Sequence, residues 1–324
     1  MQLRSQPLVS VVTPVYNTDR YLPECIESVL SQTYTHWEYI IANNCSTDCT
    51  LDIAEAFGAR DPRIRIHNNA QFVDIITNHN LALRLISPDS KYCKIVSADD
   101  WLFPDCIRQM VELAEANPTV GIVAAYQISG ERINNVGLSY PTTMVSGRDM
   151  CRRSLLGGPY VFGAPTSLLY RSDLVRSVES FYPNLSPHAD TAACYEYLQR
   201  CDFGFVHQIL SYERVHTGQT SDRSRTINYY IAEHLRYLVE YGPRYLSAAE
   251  LDKRIQEHMD IYYKFLGKSV FQRKKKEFWE YHESQLQQWG HPLSRVRLIK
   301  TLILQILNSV LNPKQTIEGL VKRQ

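Results

Sequence analysis

Strand-like and helix-like segments alternate through the first 126 residues, and this alternation constrains the fold more than any other feature. Short β-branched and apolar runs predict strands at residues 8–13, 38–42, 63–67, 92–97 and 120–126. Apolar residues at helical spacing between them predict helices at residues 21–30, 50–59, 77–86 and 103–116. Such alternation is typical of βαβ units, so the sequence predicts an α/β fold with a mostly parallel sheet.

Polar turns follow three of these strands: residues 16–17 (Tyr-Asn), 43–44 (Asn-Asn) and 99–100 (Asp-Asp). In open parallel sheets, ligands bind beyond the carboxyl ends of the strands, so the three turns predict one pocket. Two adjacent carboxylates at the end of a buried strand repel each other and lose hydration if they are enclosed. A divalent cation would offset both costs, whereas the simpler alternative is a solvated turn.

Composition limits the class of protein. The 324 residues, 44% apolar and 21% charged, suffice for one large α/β domain with an appendage or for two domains. A net charge of +1 gives no indication of nucleic-acid binding. Eight cysteines without a CxxC pair suggest a reduced, cytoplasmic chain, with Cys106, Cys151 and Cys194 as core residues. We expect no signal peptide and no run of roughly 18 apolar residues that would span a membrane.

After residue 126 the pattern loosens, and the predicted elements are a broken strand at 161–170, a helix at 188–200, strands at 203–208 and 212–216, and helices beyond about 225. From Lys264 to Gln324 the chain carries 12 Lys or Arg and 4 Asp or Glu. This basic tail contains the segment QRKKK (272–276) and the apolar segment LILQILNSVL (302–311). It either lies on an anionic membrane surface or packs on the catalytic body or a partner subunit.

Several segments resemble family 2 glycosyltransferases, which have the GT-A nucleotide-sugar fold. They are VSVVTPVYN (9–17), YLPECIESVLSQTYTHWEYIIANNCSTDCT (21–50), KIVSADDWLFPD (94–105) and, less closely, YERVHTGQTS (212–221) with the region of Asp190. The resemblance implies a GT-A catalytic domain over residues 1–222 and a helical, basic extension over residues 223–324.

The resemblance also implies an activity. A sugar would pass, with inversion, from a nucleotide-diphosphate donor, with a UDP-sugar favoured, to a glycan or lipid-linked acceptor. We expect this in bacterial surface polysaccharide synthesis, in the cytoplasm or peripherally on the inner face of the cell membrane.

The same resemblance implies roles for individual residues. The implied donor-binding residues are Thr13, Pro14, Tyr16, Asn17, Asn43, Asn44, Asp48, Asn80, Ser97, Ala98, Asp99 and Arg214. Mg²⁺ or Mn²⁺ would be held by Asp99, Asp100 and His216, and Asp190 would be the general base. Simpler interpretations remain: Asp48 caps a helix, Asp190 is a first-turn acid favoured by the helix dipole, and His216 is solvated.

Four positions depart from the family pattern. Asn43 and Asn44 stand where two aspartates are common, Ser97 stands where an aspartate often precedes the acidic pair by two, and Ala189 precedes Asp190 where glutamate is common. An asparagine can still pair with a uracil or thymine edge. The departures favour one alternative, a catalytically inactive GT-A-fold protein that binds nucleotide sugars. No GxGxxG follows the first strand, which argues against a dinucleotide-dependent oxidoreductase. A nucleotidyltransferase would need a glycine-rich, basic phosphate loop there.

Overall fold

The computed structural model describes residues 6–183, 188–216 and 227–311. The chain divides into two compact units, residues 1–216 and residues 217–324. The domain boundary predicted between residues 222 and 223 lies outside the described residues, as does the end of the predicted segment 212–221.

The N-terminal unit is built on one sheet, which has ten strands among the described residues. They are β1 (Val9–Val15), β2 (Trp37–Asn43), β3 (Ile64–Asn68), β4 (Tyr92–Ile95), β5 (Trp101–Leu102), β6 (Val120–Ser129), β7 (Arg132–Asn134), β8 (Met144–Val145), β9 (Leu168–Arg171) and β10 (Asp202–Glu213). The order is β3-β2-β1-β4-β9-β6-β10-β5, with β7 beside β6 and β8 beside β10. The first four strands pair in parallel, and β9 is antiparallel to both neighbours. The predicted mostly parallel sheet is confirmed.

Helices flank this sheet. In chain order they are α1 (Leu22–Leu30), α2 (Thr50–Gly58), α3 (Ile75–Leu83), α4 (Cys106–Ala116), α5 (Gly147–Leu155), α6 (Ser172–Arg176) and α7 (Ala189–Tyr197). In α1, Leu22, Cys25, Ile26 and Val29 recur three or four residues apart and are fully buried. Every residue of β1 is buried, as expected for a central strand covered on both faces. The cysteines predicted as core residues are buried as well.

Three predicted elements differ from the structure. The broken strand predicted at 161–170 is a 3₁₀ helix at Pro165–Ser167 followed by the short strand β9. The separate strands at 203–208 and 212–216 are one strand, β10, because bulges shift its register against β6 without ending the pairing. The helix predicted from Phe103 begins only at Cys106, because Trp101 and Leu102 form β5 and pair with the end of β10. This pairing brings residues that follow β10 next to the acidic turn.

The C-terminal unit is helical, as predicted. Its helices are α8 (Tyr229–Glu240), α9 (Gly242–Tyr245), α10 (Ala248–Phe271), α11 (Lys276–Gln288) and α12 (Arg295–Leu311). Ser247 and Glu250 form a reciprocal capping box at the start of α10, which satisfies two backbone N–H groups there. Leu235, Tyr262, Leu266 and other buried side chains form a core of its own. Among the described residues, no helix is both long and apolar enough to cross a bilayer.

Candidate active site

The acidic turn, residues 97–100, follows β4 at the carboxyl edge of the sheet. Its two aspartates have different surroundings. Asp100 is buried and accepts hydrogen bonds from the Thr166 hydroxyl (2.6 Å) and the Arg214 backbone N–H (3.1 Å). Burial, with the charge of Asp99 beside it, raises the pKa of the Asp100 carboxyl well above its ordinary value. The side chain of Asp99 is 26% exposed, so it is the member of the pair that a ligand can reach.

Thr166, which sequence analysis missed, fixes the conformation of this turn. It lies in the 3₁₀ helix Pro165–Ser167, and its hydroxyl accepts the N–H of Ser97 (3.0 Å) while donating to Asp100. The buried Lys94 on β4 holds the same segment, because its Nζ donates to the carbonyls of Thr166 and Leu168 (2.5 and 3.0 Å). Burial lowers the pKa of the Lys94 ammonium. No local sequence pattern could reveal Thr166, because it lies 66 residues beyond Asp100.

Arg214 closes the acidic turn from the end of β10. Its Nε donates to the backbone carbonyl of Asp99 (3.1 Å), and its guanidinium forms an ion pair with Glu24. The guanidinium carbon lies 4.8 Å from the ring centre of Tyr21 and 4.9 Å from that of Trp101. Arg214 is therefore fixed by cation–π contacts and hydrogen bonds rather than extended into solvent. Trp101 therefore packs against Arg214 beside the acidic turn.

His216 lies beside Asp99. Its Nε2 atom is 3.1 Å from Asp99 Oδ2, and its ring centre is 4.5 Å from that of Tyr21. Its side chain is 22% exposed, similar to that of Asp99. The structure thus brings four of the predicted residues into one cluster: Asp99, Asp100, Arg214 and His216. More than 110 residues separate the two aspartates from Arg214 and His216 in the sequence.

The donor atoms of this cluster fit a divalent cation that is shared with other ligands. Asp99 Oδ2 and His216 Nε2 are at hydrogen-bond distance, 3.1 Å. The same spacing would allow both atoms to bind one ion, because two ligand atoms about 2.1 Å from an ion at a right angle are roughly 3.0 Å apart. Both carboxyl oxygens of Asp100 already accept hydrogen bonds from the protein. Among the described residues, no group of three or more Asp, Glu, His or Cys side chains is arranged as a complete metal site. Water and phosphate oxygens would have to complete the coordination, as is usual for Mg²⁺ and Mn²⁺.

The turn after β1 is tied to the turn after β2. The amide oxygen of Asn17 accepts the N–H of Thr47 (2.8 Å), and the carboxylate of Asp48 accepts the N–H groups of Asp19 (3.2 Å) and Thr50 (3.0 Å). Burial alone would raise the pKa of Asp48, but these hydrogen bonds lower it below its ordinary value. The contact with Thr50 at the start of α2 agrees with the capping role that we considered for Asp48.

Asn43 and Asn44 are both buried, and their amides contact protein groups. The Asn44 side chain accepts the N–H of Val73 (3.0 Å) and donates to its carbonyl (2.8 Å), and it also accepts from Asn69 (3.1 Å). The Asn43 amide donates to Asn68 (2.7 Å). These contacts attach the loop after β3 to the end of β2. The side chains therefore hold these turns together, and their pairing with a nucleotide base stays a prediction.

An exposed aromatic pair is formed by the turn after β1 and the loop after β3. Tyr16 and Phe72 are 45% and 59% exposed, and their ring centres are 4.8 Å apart. Phe72 was missed by sequence analysis, although an aromatic residue in an otherwise polar loop is a usable signal. Thr13 and Pro14 are buried instead, because β1 extends to Val15, two residues beyond its predicted end. Of the four residues predicted to bind the nucleoside from this strand, Tyr16 and Asn17 reach the surface.

Asn80 lies on α3 and is buried. Its amide donates to the carbonyl of Tyr182 (2.8 Å) and accepts the N–H of the same residue (2.8 Å). This two-way pairing holds a segment near residue 182 against α3. The structure thus gives Asn80 a supporting contact, whereas the resemblance implied a donor contact.

Asp190 lies in the first turn of α7, a position that the helix dipole also favours. Its neighbour Thr191 forms a hydrogen bond with the hydroxyl of Tyr160 (2.7 Å). The chain from Tyr160 leads into the 3₁₀ helix that carries Thr166, the partner of Asp100. The start of α7 and the acidic turn are therefore anchored to the same segment.

Comparison with known proteins identifies the class. The model of the family "Glycosyl transferase family 2" matches residues 10–178, more than half of the chain. The chain belongs to this family. An uncharacterized glycosyltransferase of Haemophilus influenzae is 28% identical over 224 residues, which cover 66% of this chain and 68% of that protein. TuaG of Bacillus subtilis, named for teichuronic acid biosynthesis, is 35% identical over 107 residues, 33% of this chain and 42% of TuaG. This chain thus spans less than half of the length of TuaG.

Solved structures show the same fold. TarS of S. aureus with UDP-GlcNAc matches with a TM-score of 0.65 and 16% identity, covering 95% of this chain and 92% of that one. The mannosyltransferase PcManGT of Pyrobaculum calidifontis, with GDP-Man and Mn²⁺, matches with a TM-score of 0.54 and 15% identity, covering 92% and 86%. The chain has the GT-A fold with C-terminal helices, which confirms the predicted fold class.

Proposed function

We propose that this protein is an inverting, metal-dependent glycosyltransferase that uses a nucleotide-diphosphate sugar. The observation that carries the proposal is the pair of Asp99 and His216, whose ligand atoms are 3.1 Å apart at the carboxyl edge of the sheet. The predicted catalytic domain, residues 1–222, contains both. Membership in a glycosyltransferase family supports turnover over the alternative of an inactive binding protein.

Mn²⁺ or Mg²⁺ would be held by Asp99 and His216, with Asp100 supporting the turn rather than supplying a free oxygen. When bound, the cation supplies positive charge that stabilises the leaving diphosphate. Arg214 adds a second positive charge beside the turn, and its contacts to Asp99 and Glu24 fix its direction. Ser97 and Ala98 are the first two residues of the same turn, and their backbone would lie near the diphosphate.

The donor nucleoside would bind at the turns after β1 and β2. The exposed rings of Tyr16 and Phe72 supply apolar surface for a base, and Asn17 lies next to them. Thr13, Pro14, Asn43, Asn44, Asp48 and Asn80 would support this pocket. Structures of TarS and PcManGT contain UDP-GlcNAc and GDP-Man, which supports a nucleotide-sugar donor, and we favour a UDP-sugar here.

Asp190 would act as the general base. Its carboxylate takes the proton of the acceptor hydroxyl while the hydroxyl oxygen forms a bond to the anomeric carbon. The bond from that carbon to the diphosphate oxygen breaks on the opposite side, so the configuration inverts. Turnover of Asp190→Asn should fall roughly 10²–10⁴-fold with donor binding unchanged, as measured by donor consumption and by calorimetry. Equal turnover of Asp190→Asn and the unaltered protein would leave Asp190 as a helix-terminal acid only.

The acceptor would be a glycan or a lipid-linked sugar. The name of TuaG refers to a bacterial cell-surface polymer, which supports a role in surface polysaccharide synthesis. Such an enzyme would act in the cytoplasm, at the inner face of the membrane where lipid-linked acceptors are available. The proposed extension, residues 223–324, would then serve location rather than catalysis.

Calorimetric titration with UDP, GDP and dTDP, each with and without Mn²⁺, tests the central proposal. We expect one nucleotide to bind only with Mn²⁺, and Asp99→Asn to abolish that binding. Asp89→Asn, which removes an exposed carboxylate elsewhere in the unit, is the matched control and should bind normally. Binding that ignores Mn²⁺ and Asp99 would contradict the metal role. Metal-dependent binding without release of UDP from a UDP-sugar in the presence of acceptors would favour the inactive alternative.

A further inference from the structure

The outer side of α12 is apolar along its length, and its exposed residues define a surface that we call the α12 face. Each of its side chains is between 49% and 78% exposed: Val296, Ile299, Ile303, Leu304, Ile306, Leu307, Val310 and Leu311. A soluble monomer rarely exposes a contiguous apolar patch larger than a few hundred Å². The α12 face therefore calls for a partner.

Polar contacts fix the opposite side of α12 against α10. Arg297 forms an ion pair with Asp260 (2.7 Å), and its guanidinium lies 4.5 Å from the ring centre of Tyr263. Further along, the amide of Gln305 donates to the carbonyl of Lys264 (2.8 Å). Because these contacts hold the inner side of the helix, the α12 face cannot turn inward within this unit.

The same contacts show that α10 and α12 run in the same direction, since Asp260 is opposite Arg297 and Lys264 is opposite Gln305. The last turn of α10 therefore ends beside the last turns of α12. Val270 and Phe271, in that last turn, are 38% and 56% exposed. They add two exposed apolar side chains at this end of the helix pair.

A basic segment, residues 273–276 (Arg-Lys-Lys-Lys), follows directly after this apolar end. Arg273, Lys275 and Lys276 are exposed, and the surface ion pair of Lys276 with Glu280 offsets part of the charge. Arg295, Arg297 and Lys300 add three positive charges to α12, which contains no acidic residue. Between residues 264 and 311 the chain has nine Lys or Arg and three Asp or Glu.

We propose that the α12 face and residues 273–276 dock on the surface of an anionic phospholipid bilayer. Apolar side chains would enter the boundary between headgroups and acyl chains, while the basic side chains contact lipid phosphates. The charge favours lipid over a second copy of this chain, because two copies meeting through this surface would bring two basic segments together. At 17 residues, α12 would lie in the plane of the surface. This proposal concerns location and does not depend on the catalytic proposal.

Cosedimentation of the full chain with vesicles tests the proposal. We expect binding to vesicles of phosphatidylcholine mixed with phosphatidylglycerol, weak binding to phosphatidylcholine alone, and weaker binding at high salt. Arg273→Gln/Lys275→Gln/Lys276→Gln should weaken binding on the order of 100-fold, since each basic residue near the surface contributes about fivefold. Ile303→Gln/Leu307→Gln should weaken it by about tenfold or more through lost apolar contact.

Matched controls alter equal numbers of exposed side chains elsewhere. Arg60→Gln/Arg132→Gln/Lys253→Gln removes the same charge, and Ile133→Gln/Val136→Gln removes two apolar groups that are 51% and 54% exposed. Both controls should bind vesicles normally. If the test variants bind as well as their controls, or if no anionic vesicle is bound, the proposal is wrong. A dimer in light scattering that Ile303→Gln/Leu307→Gln converts to a monomer would assign the α12 face to a second copy instead.

Discussion

The turns after β2 and β4 occupy equivalent positions on one edge of the sheet, yet they use polar side chains in opposite ways. Asn43 and Asn44, after β2, are buried and their amides are bonded to nearby chain. Asp100, after β4, is similarly enclosed, but Asp99 beside it keeps an accessible carboxylate. A turn whose polar side chains are all bonded within the protein has a structural role, whereas a turn that leaves one side chain accessible can bind a ligand. Among the departures from the family pattern, Asn43 and Asn44 fall in the first kind of turn and Ser97 falls in the second.

Within this comparison, the largest expected effect comes from placing an amide in the turn after β4, as the turn after β2 already has. Asp99→Asn keeps the shape of the side chain but removes its negative charge. We expect turnover to fall on the order of 10²–10³-fold, the size of an electrostatic contribution to the transition state. The unfolding midpoint in denaturant should stay within the range of the Asp89→Asn control. Loss of stability together with activity would instead show that Asp99 supports the fold.

Removing the Asn44 amide from the turn after β2 should lower stability rather than turnover. Asn44→Ala leaves both backbone groups of Val73 and the amide of Asn69 without this partner in a buried place. We expect the free energy of unfolding to fall by about 3 kcal/mol, measured by urea denaturation. Thr47→Ala, at an exposed position of the same turn, should cost less than about 1 kcal/mol. A large loss of nucleotide affinity in Asn44→Ala without loss of stability would assign Asn44 to the ligand.

A third variant tests the enclosure of Asp100. Thr166→Val keeps the volume of the side chain but removes the hydroxyl that bonds both Asp100 and Ser97. We expect a loss of about 2 kcal/mol in the free energy of unfolding, since two buried groups lose a partner. Thr166→Ser keeps the hydroxyl and should retain most of the stability. If both variants are equally stable, the hydroxyl does not hold the turn.

The smallest effect concerns the exposed aromatic pair of Tyr16 and Phe72. Phe72→Ala removes an exposed ring that contacts Tyr16, so the fold should not be affected. We expect the KM for the donor to rise about fivefold, as a lost stacking contact of about 1 kcal/mol would cause. Ile75→Ala, also about half exposed at 53%, is the control. A KM that changes equally in both variants would assign no specific role to Phe72.

The sequence predicted the first half of the fold well because each strand there ends in a polar turn and each helix repeats apolar residues at a clear period. It predicted β10 as two strands because bulges interrupt the two-residue alternation without ending the backbone pairing. The start of α4 was misplaced for a related reason. Trp101 and Leu102 resemble the start of an apolar helix, but their backbone pairs with β10.

At the site, the sequence predicted which residues are polar but not which polar groups face each other. The buried amides of Asn44 and Asn80 bond to backbone groups 29 and 102 residues away, and no local pattern encodes such partners. Thr166 and Glu24 escaped notice for the same reason. By contrast, the cluster of Asp99 with Arg214 and His216 was predicted through the family resemblance, although its geometry follows only from the β5–β10 pairing.

That pairing has a consequence for synthesis on the ribosome. The chain that forms β1 to β4 emerges first, but the acidic turn is completed only by Arg214, more than 110 residues after Asp100. At about 5–20 residues per second, this interval lasts roughly 6–23 s. Meanwhile the two aspartates have neither the backbone N–H of Arg214 nor its guanidinium as partners. The nascent chain therefore passes through a stage in which the central parallel strands can exist without a finished acidic turn, so the site we propose is complete only when the N-terminal unit is almost fully translated.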